Sequence, residues 1–269
     1  MVRKIRLDVL IFKRGLVPSL HKSTAIIMEG KVIVDGKIIT KPGFAVSETS
    51  EISIKESAEF VSRGGIKLKK ALCDFDVDVK DKICLDVGAS TGGFTDCLLK
   101  NGAKKVYCVD VSYGIFDFKL RNNPQVVNIE KTNIRYFGKR ELTQIIEREL
   151  SRIRMSDDCH SERKRRISEE HFPDLAVVDV SFISLEKVLP KVKELVKTGG
   201  EIIALVKPQF EAPKGSTQKG VVKDEQIRLQ AIDKIKNFSK TLGLSLLGNT
   251  TSPIKGPKGN LEHFLYFKT

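Results

Sequence analysis

The chain has 269 residues, enough for one α/β domain of ordinary size and a smaller module. Lys and Arg outnumber Asp and Glu by 47 to 34, and the net charge of +13 favours a polyanionic partner, the alternative being a basic protein that has none. The five cysteines lack paired spacing, which favours a reduced protein over a disulfide framework or a zinc site, and no stretch approaches the roughly 18 apolar residues of a membrane span.

The chain opens with MVRKIRLDVLIFKRG, which is basic but lacks the apolar core of a signal peptide, so we expect a cytoplasmic protein. Residues 1–60 are predicted to form a small α+β unit that begins with two short helices separated by a break at residues 15–18. The apolar helix faces are Leu7, Leu10 and Ile11, then Ala25, Ile26 and Met28. KVIVDGKIIT, with a DG turn between apolar runs, and EISI then predict a small β-hairpin element.

Basic residues dominate the first helices, where they are placed to meet phosphate groups. In residues 1–22 the only acid is Asp8, and the basic residues are Arg3, Lys4, Arg6, Lys13, Arg14 and Lys22. The segments RLDVLIFKRGLVPS and KVIVDGKIITKPG resemble the S4 RNA-binding domain, although Leu20 stands where S4 domains usually carry a basic residue. The resemblance implies that these six residues bind RNA, and we add Arg63 to them.

Residues 61–80 are predicted to be a linker and a leading helix, and residues 81–269 an α/β domain. KICLDVG, KVYCVDV, VVNIE, LAVVDVS and EIIALV are strands separated by helices or connecting segments, and LSLLGNTTSP and EHFLYFK close the sheet. Strands that are apolar throughout and alternate with helices indicate a parallel sheet covered on both faces. Seven strands with an antiparallel last pair are typical of the Rossmann-like methyltransferase fold. Residues 145–172 interrupt this pattern and are predicted to be an exposed insertion, because RELSRIRMSDDCHSERKRRISEE has few apolar residues.

The glycine-rich stretch DVGASTGGFTD lies between a strand and a helix. Gly88 and Gly92 allow the backbone to approach a ligand closely, and the spacing disfavours the dinucleotide motif GxGxxG. The stretch resembles motif I of S-adenosylmethionine-dependent methyltransferases, and Asp110 after the next strand is placed to accept both ribose hydroxyls of that cofactor. The predicted cofactor residues are Asp86, Gly88, Ser90, Thr91, Gly92, Gly93, Phe94, Asp110 and Asn133. The alternative to a cofactor-binding role is that Asp110 only caps a strand and that Asn133 is only a turn residue.

Four charged residues are expected to converge beyond the carboxyl ends of the strands, where ligands bind in open parallel sheets. Asp179 ends the fourth strand, Lys207 ends the fifth in ALVKPQFE, and Glu262 begins the last. Lys67 lies in SRGGIKLKKAL, on the leading helix. Two lysines and two carboxylates compensate each other's burial, and one lysine is a candidate base. For each residue alone, the alternative is a structural ion pair.

SRGGIKL, LDVGASTGGFTDCLL, VDVSFISL, LVKPQFE and GNLEHFL together resemble the hemolysin A (TlyA-type) family, in which an S4 domain precedes an FtsJ-like methyltransferase domain. The resemblance implies 2′-O-methylation of ribose, on cytidine, in ribosomal RNA, with S-adenosylmethionine as methyl donor. It also implies that the Lys-Asp-Lys-Glu catalytic set is Lys67, Asp179, Lys207 and Glu262. The expected partner is the ribosomal subunit, with no membrane partner, and the protein is expected to be a monomer.

Three other functions remain as alternatives. The first is an RNA-binding or ribosome-assembly factor that has lost catalysis, the second a membrane-active hemolysin. The sequence disfavours the second because it has no membrane span and no evident amphipathic insertion helix. The third, a pseudouridine synthase, is disfavoured because Asp8 lies inside the S4-like segment.

Overall fold

In the computed structural model, the structure is described for residues 4–55, 58–154 and 167–269. These residues divide into two compact units at the junction between residues 58 and 59. In the N-terminal unit the elements are β1 (Lys4–Arg6), α1 (Leu7–Lys13), α2 (Leu20–Met28), β2 (Val32–Val34), β3 (Lys37–Ile39), β4 (Ala45–Ser47) and β5 (Ile52–Ile54). Strand β1 pairs with β4, and β2 lies between β3 and β5.

Two helix faces and strand β2 supply the core of the N-terminal unit. The predicted face of α1 is confirmed, since Leu7, Leu10 and Ile11 are all buried. The prediction for α2 is wrong at Met28, which is exposed, whereas Ile27 is fully buried. The buried positions of α2 are 23, 26 and 27, which share one helix face at spacings of three and four residues.

The DG turn predicted between β2 and β3 is confirmed. Asp35 and Gly36 have φ values of 47° and 77°, the left-handed conformation that a tight two-residue hairpin turn requires. Such a turn favours Gly and Asp, which explains why two polar residues interrupt the apolar run of KVIVDGKIIT at this point.

The C-terminal unit is an α/β domain. Its helices are α3 (Arg63–Asp74), α4 (Gly93–Lys100), α5 (Phe118–Arg121), α6 (Lys139–Arg154), α7 (Leu189–Leu195), α8 (Pro208–Glu211) and α9 (Glu225–Thr241). Its strands are β6 (Ile83–Val87), β7 (Lys105–Val109), β8 (Val126–Ile129), β9 (Leu175–Val178), β10 (Glu201–Val206), β11 (Ser245–Thr251) and β12 (His263–Lys268).

The strands form one sheet in the order β11-β12-β10-β9-β6-β7-β8, and the predicted fold class is confirmed. Neighbours from β10 to β8 are parallel, whereas β12 is antiparallel to both β10 and β11. A separate apolar cluster covers each face of the sheet. The chain turns to opposite sides of β6, since β7 lies on one side and β9 on the other. In doubly wound sheets, ligands bind in the crevice at the carboxyl ends of the strands at such a point.

The insertion predicted for residues 145–172 begins later than the sequence indicated. Residues 145–154 continue helix α6, and Leu142 and Ile146, one turn apart, are buried in the core. Phe172 is also buried, ahead of β9. The helix was not predicted because its apolar stripe consists of single residues within a highly charged segment. Residues 155–166, with Cys159, lie outside the described part of the chain.

Within the described residues, no helix is both long enough and apolar enough to cross a membrane.

Candidate active site

The four predicted charged residues lie in two ion pairs. Lys67 is on α3, and Glu262 directly precedes β12. The Nζ atom of Lys67 donates to Oε2 of Glu262 at 2.6 Å, and the two residues are 6% and 1% exposed. An ion pair this deeply buried is maintained only where each charge compensates the other.

The second pair lies at the ends of two neighbouring parallel strands. Asp179 follows β9 and Lys207 follows β10, and Nζ of Lys207 lies 2.5 Å from Oδ1 of Asp179. The same Nζ donates to Oγ of Ser181 at 2.8 Å. Pro208 starts α8, and because it cannot donate a backbone hydrogen bond to a neighbouring strand, β10 ends before it and Lys207 stands at the sheet edge.

One member of each pair lines a pocket of about 440 Å³. Lys67 lines it from α3, Asp179 lines it from the end of β9, and Arg63 and Pro257 lie at its wall. The glycine-rich turn supplies the remaining side through Gly88, Ala89, Ser90, Thr91, Gly93 and Phe94. The pocket is therefore lined by one charged member of each pair, with the partners Glu262 and Lys207 directly behind them.

A second pocket of about 420 Å³ adjoins the first, since Gly88, Ser90 and Asp179 line both. Both volumes fall in the range of small-molecule sites, roughly 300–1,000 Å³. The second pocket combines the polar side chains of Asp110 and Asn133 with an apolar lining of Val109, Val111, Ile115, Ile134 and Ile183. A carboxylate beside apolar walls suits a nucleoside, with the sugar hydroxyls on the carboxylate and the base between apolar side chains.

The glycine-rich turn needs glycine at two of its positions. Gly88 and Gly92 have φ values of 86° and 94°, in the left-handed region. A Cβ atom at Gly88 would lie 2.5 Å from the carbonyl oxygen of Asp179, and one at Gly92 would lie 2.4 Å from the Leu120 side chain. Any other residue at position 88 would therefore displace the strand end that carries Asp179.

Asp110 is held rigidly at the second pocket. Its carboxylate accepts hydrogen bonds from the backbone N–H groups of Ser90 and Ser112, both at 2.7 Å, and from Oγ of Ser112 at 2.5 Å. It thereby links the end of β7 to the glycine-rich turn. Asn133 also lines the pocket, while its side-chain oxygen accepts from the backbone N–H of Arg135 at 3.1 Å and caps a 3₁₀ turn.

Asp86, also predicted to be a cofactor residue, is fully buried within β6. Its Oδ2 accepts from Oγ1 of Thr95 at 2.6 Å, whereas its Oδ1 has no partner. Burial, together with the nearby Asp179 carboxylate, raises the pKa of this carboxyl group to about 7. The side chain therefore stabilises the fold best when it carries a proton.

We expect Asp86→Asn to become more stable relative to the wild type as pH rises. A carboxyl group whose folded pKa lies above its unfolded value costs stability as pH rises from about 4 to about 7, and asparagine does not titrate. The free energy of unfolding of the variant should gain about 2 kcal/mol on the wild type between pH 5.5 and 8.5. Denaturant unfolding followed by circular dichroism measures this difference. Asp233→Asn, at an exposed position of α9, is the control, and an equal gain there would contradict the role of burial.

The predicted RNA-binding residues differ in what they contact. Arg6 forms a 2.7 Å ion pair with Asp8, and Arg14 donates to the backbone carbonyls of Glu48 and Ser50 at 2.6 and 2.8 Å. These two side chains are thus partly engaged within the N-terminal unit. The exposed predicted lysines are Lys4, Lys13 and Lys22. Arg3 lies outside the described residues, and Arg63 is in the C-terminal unit.

Three residues near the pocket were not among the predictions. Ser181 contacts Lys207, as described above. Glu211, the last residue of the motif LVKPQFE, is buried. Its carboxylate accepts hydrogen bonds from Oγ of Ser184 at 2.6 Å and from the backbone N–H of Leu185 at 2.7 Å. Burial raises the pKa of Glu211. Its hydrogen bonds connect the segment after β10 to the segment after β9. In the sequence, a glutamate this close to the end of an apolar strand was the signal that could have identified it.

Phe182 is the third such residue. It lies three positions after Asp179, is 90% exposed and has a φ of 63°, which is strained for an aromatic residue. Its ring centroid is 5.3 Å from that of Phe210, in a tilted arrangement. It also lines the second pocket. An aromatic ring kept in solvent at this cost is available to stack on a ligand.

Comparison with known proteins assigns each unit to a family. Residues 60–269 match the FtsJ-like methyltransferase family, and residues 5–52 match the S4 domain. YqxC of Bacillus subtilis (strain 168) is 40% identical over 266 residues, which cover 98% of this chain and 85% of that protein.

Two further proteins match along nearly their full length. The 16S/23S rRNA (cytidine-2′-O)-methyltransferase TlyA of Mycobacterium tuberculosis (strain ATCC 25618 / H37Rv) is 38% identical over 272 residues, covering 100% of this chain and 91% of that protein. A solved structure from Streptococcus thermophilus is 36% identical, with a TM-score of 0.68, and the match covers 100% of this chain and 90% of that one. The similarity therefore includes both units.

Proposed function

The chain belongs to the FtsJ-like methyltransferase family and carries an S4 domain ahead of the catalytic domain, and from this premise we propose that it methylates the ribose 2′-hydroxyl of a cytidine in ribosomal RNA. The observation that carries the proposal is the pocket bordered by the Lys67–Glu262 and Lys207–Asp179 pairs, next to the pocket that contains Asp110. One pocket is suited to the reacting hydroxyl and the other to a nucleoside cofactor.

The second pocket fits S-adenosylmethionine. We infer that Asp110 accepts the ribose hydroxyls of the cofactor, with Asn133 at the adenine edge and Ile115 and Ile134 among the apolar side chains around the ring. Gly88 and Ser90, which line both pockets, are then the positions of the glycine-rich turn that approach the cofactor most closely. When bound, the cofactor supplies an electrophilic methyl group on a sulfonium centre.

The four charged residues have separate tasks in this mechanism. A ribose hydroxyl is a weak nucleophile, so the protein must position it and remove its proton as the O–CH₃ bond forms and the C–S bond breaks. Lys207 must first give up to solvent the proton that it holds in the ion pair with Asp179; it then takes the hydroxyl proton and becomes an ammonium ion again, which Asp179 stabilises. Lys67 holds the substrate, and Glu262 fixes the orientation of the Lys67 side chain through the 2.6 Å hydrogen bond.

RNA is the substrate class that the rest of the chain supports. The net charge of +13 and the exposed lysines of the S4 domain suit a polyphosphate backbone. Phe182, exposed beside Asp179, offers a face on which a nucleobase can stack, and bases presented in this way are typical of RNA recognition. The two units thus divide the work between binding and chemistry.

Catalysis is favoured over a purely RNA-binding role because all four charged groups and the glycine-rich turn are present together at one edge of the sheet. A buried ion pair such as Lys67–Glu262 stabilises a fold less well than apolar residues of similar size, so a protein that had lost methyl transfer would have no structural need to keep it.

Full-length protein incubated with unmodified ribosomal subunits and methyl-labelled S-adenosylmethionine should label the RNA. Digestion of that RNA to nucleosides should recover the label in 2′-O-methylcytidine, and mapping of the position would identify the nucleotide. Label on a base, or label in protein only, would refute the proposed reaction. Bound cofactor without any transfer would favour the RNA-binding alternative.

A further inference from the structure

Five exposed lysines lie on two loops beyond the carboxyl edge of the large sheet, and Lys219, Lys255 and Lys258 are three of them. Lys219 is in the loop of residues 212–224 between α8 and α9, and Lys255 and Lys258 are in the loop of residues 252–262 between β11 and β12. We call these three residues the lysine ridge. None of them was predicted to bind RNA from the sequence.

A buried asparagine joins the two loops. Asn260 is 1% exposed; its side-chain oxygen accepts from the backbone N–H of Val222 at 2.9 Å, and its side-chain nitrogen donates to the carbonyl of Gly220 at 2.8 Å. The side chain of Lys258 extends over the other loop, because a Cβ atom at Gly220 would lie 3.4 Å from its Nζ. The lysine ridge is therefore built on a fixed backbone.

The lysine ridge also borders the active site. Arg63, at the wall of the first pocket, donates from Nη2 to the backbone carbonyl of Lys255 at 2.6 Å. Pro257, which lies between Lys255 and Lys258, lines the same pocket as Lys67 and Asp179. A ligand that touches the lysine ridge is thus a neighbour of the reacting group.

The charge of the lysine ridge is uncompensated within the described part of the chain, where none of its three members forms an ion pair. Lysines at the opposite edge of the sheet include Lys82, paired with Glu201, and Lys197, paired with Asp174. In the loop of residues 252–262, the acid Glu262 is already paired with Lys67. Three fixed, unpaired cations beside a catalytic pocket create a local positive field that attracts an anionic ligand.

We propose that the lysine ridge binds phosphate groups of the RNA strand next to the target ribose and so provides a second RNA contact, on the catalytic domain itself. Because the lysines are spread over two loops and share no enclosed pocket, they suit a chain of phosphates better than one small anion. Phosphate contacts carry little sequence information but set the register of a nucleic acid on a protein. Methyl transfer requires such register, since the 2′-hydroxyl must lie in line with the methyl group. This inference rests on the proposed function.

The test compares two triple variants of the full-length chain. The ridge variant is Lys219→Gln, Lys255→Gln and Lys258→Gln, and the control is Lys80→Gln, Lys104→Gln and Lys240→Gln, three exposed lysines at the opposite edge of the sheet. Affinity for ribosomal subunits is measured from 50 to 200 mM salt, together with thermal unfolding and S-adenosylmethionine binding. Each lost phosphate contact should reduce the slope of log affinity against log salt by about 0.7–0.9, so the ridge variant should lose about 2–3 in slope.

We expect the ridge variant to bind RNA at least tenfold more weakly at low salt, and to keep its cofactor affinity and melting temperature. If its slope equals that of the control while the wild type methylates RNA, the lysine ridge is refuted and the proposed function stands. If the wild type binds RNA without methylating it, the proposed reaction fails, and the change in slope still decides whether the lysine ridge binds RNA. A wild type that binds no RNA refutes both.

Discussion

Replacing Lys207 with alanine should lower the rate of methyl transfer by about 10²–10⁴-fold, the usual contribution of a general base. The side chain lies 2.5 Å from Asp179, and Lys207 itself is not among the described residues that line the cofactor pocket around Asp110. The affinity for S-adenosylmethionine should therefore stay within about twofold of the wild type, since Lys207 contributes to the chemical step and not to cofactor binding. Single-turnover transfer to ribosomal subunits, together with a cofactor titration, separates the two quantities.

Two further variants make this test specific. Lys82→Ala removes an ion-paired lysine at the opposite edge of the sheet and should transfer methyl groups at the wild-type rate. Lys207→Arg keeps the positive charge but cannot give up a proton to serve as a base, because arginine stays protonated. We expect it to be as inactive as Lys207→Ala. Substantial turnover by the arginine variant would show that the cation alone suffices, and would contradict the role of Lys207 as a base.

Replacing Lys67 with methionine should lower the free energy of unfolding by roughly 3–5 kcal/mol, the usual cost of removing one partner from a buried ion pair. Methionine has nearly the length of lysine, so the main effect is that Glu262, 1% exposed, is left as an unpaired buried carboxylate. Denaturant unfolding followed by circular dichroism is the suitable measurement, because the chain has no tryptophan.

Lys69→Met, on the same helix, is the matched control. Lys69 pairs with Glu59 at 2.5 Å, but both side chains are more than half exposed, and such pairs contribute about 0–1 kcal/mol. The double variant Lys67→Met, Glu262→Gln removes both buried charges and should recover most of the stability lost in the single variant. Equal losses for Lys67→Met and Lys69→Met would mean that the buried pair contributes little to the fold.

The sheet was predictable from the sequence because its strands are apolar on both faces and stand out against charged helices. The same reasoning placed Asp110, Asp179 and Lys207 at one edge, since each directly follows a strand that runs in the same direction. Lys67 and Glu262 came from motif resemblance, and the structure explains their proximity by the position of α3 and the last strand.

The parts that the sequence did not predict depend on contacts between distant loops. Glu211 and Ser181 contact residues 26 or 27 positions away through turns whose paths no periodic pattern encodes. Arg14 is a basic residue of the kind that binds RNA, but no sequence pattern indicates that the backbone carbonyls of Glu48 and Ser50 accept its hydrogen bonds. Residues 145–154 were predicted to belong to an insertion and not to a helix for a related reason. The apolar stripe of Leu142 and Ile146 in α6 is narrow, and the surrounding residues are charged.

The position of β12 determines when the domain can finish folding. This strand is the last of the sheet in sequence, yet it lies between β10 and β11, so β11 cannot join the sheet until β12 has inserted beside it. The Lys67–Glu262 contact spans 195 positions and forms in the same step. Contacts this distant in sequence require closure of a long loop and generally form slowly. Catalytic competence therefore requires the last strand of the chain to be in place, because Glu262 directly precedes β12 and holds Lys67 at the pocket.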